Sequence, residues 1–255
     1  MPLRKPREPR EARKQTKMCG KESGMRRYTT VLWDVDGTLL DFLYSQRHAL
    51  TACFESAGLT ITEEILQRYS QINDGMWKQL ELGEITKEQL LPGRFLKLFE
   101  EYRIQNVDIN AFRKQYQEEL GNVYSYIDDS LNVCKSLTGK VKQYVVTNGV
   151  TATQTHKLAL SGLDVLMEQL FISEQIGTPK PQKGFFDYCL AHVEEKDKSK
   201  ILLVGDSLSS DIKGGIQAGI RTCWYRPEGP VNETGFRPDH EIQDLHRVLS
   251  IIDGE

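Results

Sequence analysis

The sequence predicts an α/β protein, a doubly wound parallel sheet with an all-helical bundle inserted after its first strand. Three observations lead there. A short apolar run from Tyr28 to Trp33 ends in two aspartates and a turn. From about residue 43 to 127, apolar residues recur at three- and four-residue steps, as on amphipathic helices. From about Asp128 onward, short apolar runs alternate with helical stretches, which is the rhythm of parallel strands joined by crossover helices.

Composition sets the outer bounds. A chain of 255 residues with 39% hydrophobic content can build a large core. No segment approaches the ~20 apolar residues of a membrane span, so a soluble protein with no membrane partner is expected. The five cysteines (Cys19, Cys53, Cys134, Cys189, Cys223) form no C-x-x-C pair and the histidines no H-E-x-x-H. Structural zinc and a disulfide framework are therefore not expected, which points to a reducing, cytoplasmic location. The net charge of −3 hides an asymmetry: residues 1–27 hold ten Lys or Arg against three Glu, +7, which leaves −10 for the rest. An acidic body is a poor nucleic-acid surface, so any such binding would depend on the tail.

Residues 1–27 carry almost no large apolar side chains and contain Pro2, Pro6 and Pro9, so they are expected to be a disordered basic extension. No aromatics interleave the charges, and no role is expected for them. Met25, just before the first strand, could be the natural start. The core is expected over residues 28–42 and 128–255, with the helical unit over 43–127. In the first strand, Val31-Leu32-Trp33 is unbroken and apolar, as in a strand buried on both faces. Leu43, Ala49, Leu50, Cys53, Phe54 and Ala57, then Leu90, Leu91, Phe95, Leu98, Phe99 and Tyr102, mark the helical bundle, punctuated at Gly58, Asp74-Gly75, Gly83 and Gly121-Asn122. An insertion at this point lies beside the ends of the strands, where a lid would exclude water. Strands are then expected at Val141–Val146, Gln169–Ile172, Ile201–Val204 and Thr222–Trp224, and helices at Ala152–Ser161, Lys183–His192 and Asp211–Ala218.

Polar groups follow the apolar strands. Asp34 and Asp36, at i and i+2, point to one side of an extended chain, and two like charges so close need a cation or a proton between them. Alone, Asp36-Gly37 also reads as a simple turn. Thr147-Asn148-Gly149 offers a hydroxyl, an amide and backbone N–H groups to phosphoryl oxygens, although Asn-Gly by itself is a common turn. Lys180, in Gly177-Thr178-Pro179-Lys180-Pro181, would offset charge between a carboxylate nucleophile and a phosphate. Gly205-Asp206-Ser207 and Asp211 complete the set. Mg²⁺ takes oxygen ligands: Asp34 and Asp206 would supply carboxylates, the Asp36 carbonyl a third oxygen, and Asp211 would orient the site from behind.

Asp34-x-Asp36-Gly37-Thr38, Thr147-Asn148, Lys180, and Gly205-Asp206-Ser207 with Asp211 together resemble, in order, the four motifs of the haloacid dehalogenase-like (HAD) hydrolases. The resemblance implies a Rossmann-like core, Asp34 as a nucleophile that forms an aspartyl-phosphate, and Asp36 as general acid and then base. It also implies Thr147, Asn148 and Lys180 around the phosphoryl group, with Mg²⁺ as cofactor. An aspartate at position 36 favours phosphatases over the dehalogenases and phosphonatases of the superfamily. Residues 43–127 look like its helical C1 cap. Met76-Trp77, Leu82 to Thr86, Arg94-Phe95, Ile172 to Pro181 and Ser209 to Gly215 resemble the YjjG-type pyrimidine 5′-nucleotidases. Trp77, Arg94 and Phe95 are then candidate substrate contacts, although a helical bundle also needs core aromatics.

The expected function is Mg²⁺-dependent hydrolysis of a small phosphate ester, in first place a pyrimidine nucleoside 5′-monophosphate, by a monomer or homodimer. The alternatives are a sugar-phosphate or phosphoglycolate phosphatase, a phosphomutase, or an inactive binding protein that keeps the fold.

Overall fold

The computed structural model describes residues 26–227, 232 and 235–254. The basic extension up to residue 25, Met25 included, lies outside the described residues. Arg26 and Arg27, which composition assigns to that extension, are tied to the folded body. The Arg27 N–H donates to Ile252 O at 3.0 Å and an Arg26 guanidinium N–H to Lys140 O at 3.1 Å.

Strand β1 (Thr30–Trp33) leads into four helices, α1 (Phe42–Ser56), α2 (Glu63–Leu82), α3 (Lys87–Glu101) and α4 (Ile109–Asn122). After α5 (Ser130–Leu137) come β2 (Lys142–Thr147), α6 (Thr151–Ser161), β3 (Gln169–Ile172), the single turn α7 (Ser173–Ile176) and α8 (Lys183–His192). Then follow β4 (Ile201–Gly205), a π-helical turn (Leu208–Ile212), α9 (Lys213–Ala218), β5 (Arg221–Tyr225), β6 (His240–Ile242) and α10 (Arg247–Asp253). The six strands form one parallel sheet in the order β3-β2-β1-β4-β5-β6, the doubly wound arrangement expected.

The side-chain alternation of a strand explains how the sheet is covered. In β1, Val31 and Trp33 join a cluster with Val133, Leu137, Leu158 and Val248 from α5, α6 and α10. Leu32 faces the other way, into Phe185, Phe186, Cys189 and Ile220 around α8 and α9. Helices α1 to α4 enclose a third cluster, including Leu50, Phe54, Tyr69, Phe95, Leu98, Phe112 and Tyr116. Each begins at a side-chain cap: Asp41, Thr62, Thr86 and Asp108 accept backbone N–H groups of the first turns. No described helix is long and apolar enough to cross a membrane.

Two departures from the sequence reading bear on the site. The helix expected from Asp211 is preceded by the π-helical turn, which carries Ser209, Ser210 and Asp211. The edge strand β6, three residues with only Ile242 buried, is too short and polar to show a periodic signal. Asp34 follows β1, Thr147 ends β2 and Asp206 follows β4, so all three stand at the carboxyl edge. Strand order reverses between β1 and β4, and crevices for ligands form there.

Candidate active site

The loop after β1 is held tightly. The Asp34 N–H donates to Val204 O at 2.9 Å, which extends the strand ladder by one residue, and the N–H groups of Leu39 and Leu40 return to Val35 O. Gly37 lies at φ 92°, and a Cβ there would stand 2.5 Å from Asp206 Oδ2. Glycine therefore meets two demands at once, the left-handed backbone and the close approach of β4's aspartate.

Lys180 is the hub. Its ammonium, 2% exposed, donates to Asp34 Oδ1 at 2.6 Å, Asp211 Oδ1 at 2.7 Å and Val146 O at 2.9 Å. All three of its N–H donors are used. Burial works against the charge, but Asp211 and Asp34 outweigh it and raise the Lys180 pKa. Asn148 fixes the lysine backbone from both sides: its Oδ1 accepts the Lys180 N–H at 2.8 Å and its Nδ2 donates to Lys180 O at 3.0 Å. The amide expected to face a phosphoryl group therefore also aims the lysine, and its second Nδ2 hydrogen is left to donate. Thr147 Oγ1 accepts the Gly149 N–H at 3.0 Å, which leaves its own hydroxyl hydrogen to donate.

Asp34, Asp206 and Asp211 each contribute a carboxylate oxygen to a group whose members lie within 4.8 Å of one another. One ammonium faces three carboxylates. The deficit shows in the acidity of Asp34 and Asp206: burial, opposed by Lys180 and reinforced by Asp211, raises Asp34 to about 7. Burial and the charges of Asp34 and Asp211 hold Asp206 well above the usual carboxylate range. Asp206 nonetheless opens onto the pocket, whereas Asp211 is 1% exposed and also accepts the Ser207 N–H at 3.2 Å. Hard oxygen donors with uncompensated negative charge suit a divalent cation.

The Asp36 carboxylate is not among the oxygens of that cluster. Gln154 Nε2 donates to its Oδ2 at 2.5 Å and the Lys157 ammonium to its Oδ1 at 3.0 Å. Both donors come from α6 and were missed in the sequence. Their only trace there is a pair of polar residues at i and i+3 on an otherwise ordinary helix.

Helix α2 and the start of α1 close the other side. Phe42, Asn73, Asp74, Trp77 and Glu81 line a cavity of about 220 Å³ together with Asp34, Asp36, Thr147, Asn148, Lys180, Asp206 and Asp211. Of the three expected contacts from the helical unit, only Trp77 lines it. Phe95 lies in the helical core, stacked on Tyr69, because α3 turns that face inward. Arg94 is buried behind Asn73, with its Nη1 2.8 Å from Asn73 Oδ1 and its guanidinium over Tyr116. Two contacts pin the helices over the sheet edge. The Ser209 hydroxyl donates to Glu81, and the Lys87 ammonium donates to Asn148 O at 2.8 Å and Gly149 O at 2.7 Å. A larger groove of about 600 Å³ opens between α4 and α6, away from the carboxylate cluster.

Residues 31–225 match the family model described as haloacid dehalogenase-like hydrolase. The chain is 35% identical over 231 residues to the HAD-hydrolase YfnB of Bacillus subtilis, covering 91% of this chain and 98% of that one. It is 36% identical over 227 residues to the pyrimidine 5′-nucleotidase PynA of Streptococcus pneumoniae, covering 89% and 95%. With the pyrimidine 5′-nucleotidase YjjG of Escherichia coli it shares 31% over 222 residues, covering 87% and 96%. The crystal structure of YfnB, solved bound to magnesium, superposes with a TM-score of 0.84 over 89% of this chain and 99% of that one, at 34% identity.

Proposed function

The chain belongs to the haloacid dehalogenase-like hydrolase family, and on that premise we propose that it is a Mg²⁺-dependent phosphatase of pyrimidine nucleoside 5′-monophosphates that works through an aspartyl-phosphate. The observation that carries this reading is the buried contact between Lys180 and Asp34, with Asp206 and Asp211 beside it and Asp36 two residues on. Lys180 occupies one Asp34 oxygen, and the other attacks phosphorus. Asp36 gives its proton to the departing nucleoside oxygen, then takes one from the water that attacks the aspartyl-phosphate, so each step leaves Asp36 ready for the other. Lys180 and the Thr147 hydroxyl balance charge on the phosphoryl oxygens. Asp34 and Asp206, with the Asp36 carbonyl, would hold Mg²⁺, and Asp211 would orient them. When bound, the ion supplies charge neutralisation at the phosphoryl group.

For the substrate, the names of PynA and YjjG and the wall of the cavity point the same way. Helices α1 to α4, residues 43–127, act as the cap. Arginine only donates, so its bond to Asn73 Oδ1 sets the amide with Nδ2 toward Asp74, 3.4 Å away. A donor and an acceptor side by side, next to the Trp77 ring, suit the polar edge and face of a base. The buried thiols of Cys53, Cys134, Cys189 and Cys223 accord with a reducing, cytoplasmic setting.

The test is phosphate release from nucleoside monophosphates, sugar phosphates and phosphoglycolate, with Mg²⁺ and with EDTA. Selective, EDTA-sensitive hydrolysis of UMP or dTMP is the expected result, and preference for a sugar phosphate would discard the nucleotidase assignment. Asp34→Asn should abolish turnover and keep the fold. Turnover like that of the wild type would refute the covalent mechanism.

A further inference from the structure

We propose that Lys157 and Gln154 are positioning residues that hold the Asp36 carboxylate in the single orientation from which it serves the leaving group. This rests on the phosphatase reading above. Lys157 is 0% exposed, and among the described residues Asp36 is the one hydrogen-bond acceptor its ammonium has, at 3.0 Å. A buried ammonium is costly unless paired, so this lysine is tied to that carboxylate. Gln154 is 1% exposed and gives its Nε2 to the second Asp36 oxygen at 2.5 Å, while its own Oε1 is buried without a partner among the described residues. Flipping the amide would set oxygen against oxygen, so the fold tolerates an orphaned acceptor in order to aim the donor at Asp36.

The surroundings are built for this pair. Residues 154 and 157, at i and i+3, share a face of α6. Leu158 anchors that helix in the core, and the Tyr126 hydroxyl binds Ser161 O at its end. A Cβ on Gly149 would overlap the Gln154 side chain, so the glycine after Thr147-Asn148 makes the room that Gln154 fills. Asp36 itself sits on a loop and would otherwise rotate about two side-chain bonds. With both oxygens gripped by one helix, its side chain remains 23% exposed, and it lines the cavity shared with Asp34. Neither donor is among that cavity's lining residues, so the pair acts through Asp36.

A nucleoside leaves as an alkoxide that needs the Asp36 proton, whereas p-nitrophenolate is stable without one. The experiment is single-turnover release of uridine from UMP and of p-nitrophenol from p-nitrophenyl phosphate, by wild type, Lys157→Met, Gln154→Leu, Asp36→Asn and the Asp36→Asn/Lys157→Met double variant, alongside thermal unfolding. Uridine release by Lys157→Met should fall about 100-fold, the order expected of a misplaced catalytic group, with p-nitrophenol release within a few-fold of wild type. In the Asp36→Asn background, Lys157→Met should cost nothing further, because the pair acts through one group. Equal losses on both esters, no loss on UMP, or full additivity in the double variant would overturn the proposal. If Lys157→Met fails to fold, Gln154→Leu decides by the same criteria. A wild type silent on every ester would overturn the phosphatase reading and this inference with it, whereas an active wild type with equal losses overturns this inference alone.

Discussion

Replacing Lys180 with methionine keeps the stem and removes the charge, and the structure sets the size of the effect. Three acceptors lose their donor at once: Asp34 Oδ1, Asp211 Oδ1 and Val146 O. The two carboxylates are almost fully buried, with side chains 9% and 1% exposed. Breaking a buried ion pair by deleting one partner costs about 3–5 kcal/mol, and a chain of this size loses about 2–4 °C of Tm per kcal/mol. Metal-free Lys180→Met should therefore melt well below the wild type at pH 8. The sign with pH is also set. Burial already raises Asp34 to about 7 with Lys180 in place, and removing the ammonium raises it further above its unfolded value. The folded variant then binds more protons than the unfolded chain, so its stability rises as pH falls from 8 to 6. Mg²⁺ should restore part of the loss, about 2.7 kcal/mol at 100 times its Kd. Urea unfolding in EDTA at pH 6 and 8, then with Mg²⁺, measures each of these. A variant within about 1 kcal/mol of wild type at pH 8, or one that weakens further as pH falls, would refute the account of Lys180 as the counter-charge of the cluster.

Lys87 gives a second pH dependence of opposite direction. Burial, opposed by Glu174 and Glu88, lowers its pKa from 10.5 to about 8. Folding thus releases a proton between those values, and stability should rise with pH across that window. Lys87→Met should flatten the slope, and an unchanged slope between pH 8 and 10 in urea titrations would show that another group is responsible. Gly37→Ala would drive a methyl group into Asp206 at a backbone φ of 92°. It should cost roughly 1–3 kcal/mol of stability and raise the Mg²⁺ concentration needed for half-maximal activity, and an activation curve that superposes on the wild type's would count against Asp206 as a metal ligand.

The sequence by itself determined the sheet and which polar residues stand along its edge. Val31-Leu32-Trp33, Tyr144-Val145-Val146 and Ile201-Leu202-Leu203-Val204 are apolar on both faces, as strands of a covered parallel sheet must be, and Asp34, Thr147 and Asp206 stand directly after or at the end of such runs, where local spacing makes them readable. What the tertiary structure decided was the partner of each polar group. Asn148 turned to the backbone of Lys180, 32 residues away, and Asp36 found Gln154 and Lys157 at separations of 118 and 121 residues. Periodicity likewise marked Trp77, Arg94 and Phe95 as residues of helical faces but not which face meets the sheet, and the structure set Trp77 in the cavity and the other two behind it. A strand or helix is specified by neighbours within a few residues, whose sterics and hydrogen bonds are local. A polar contact between elements depends on how each helix rotates and slides as the whole core packs, and no local spacing encodes that.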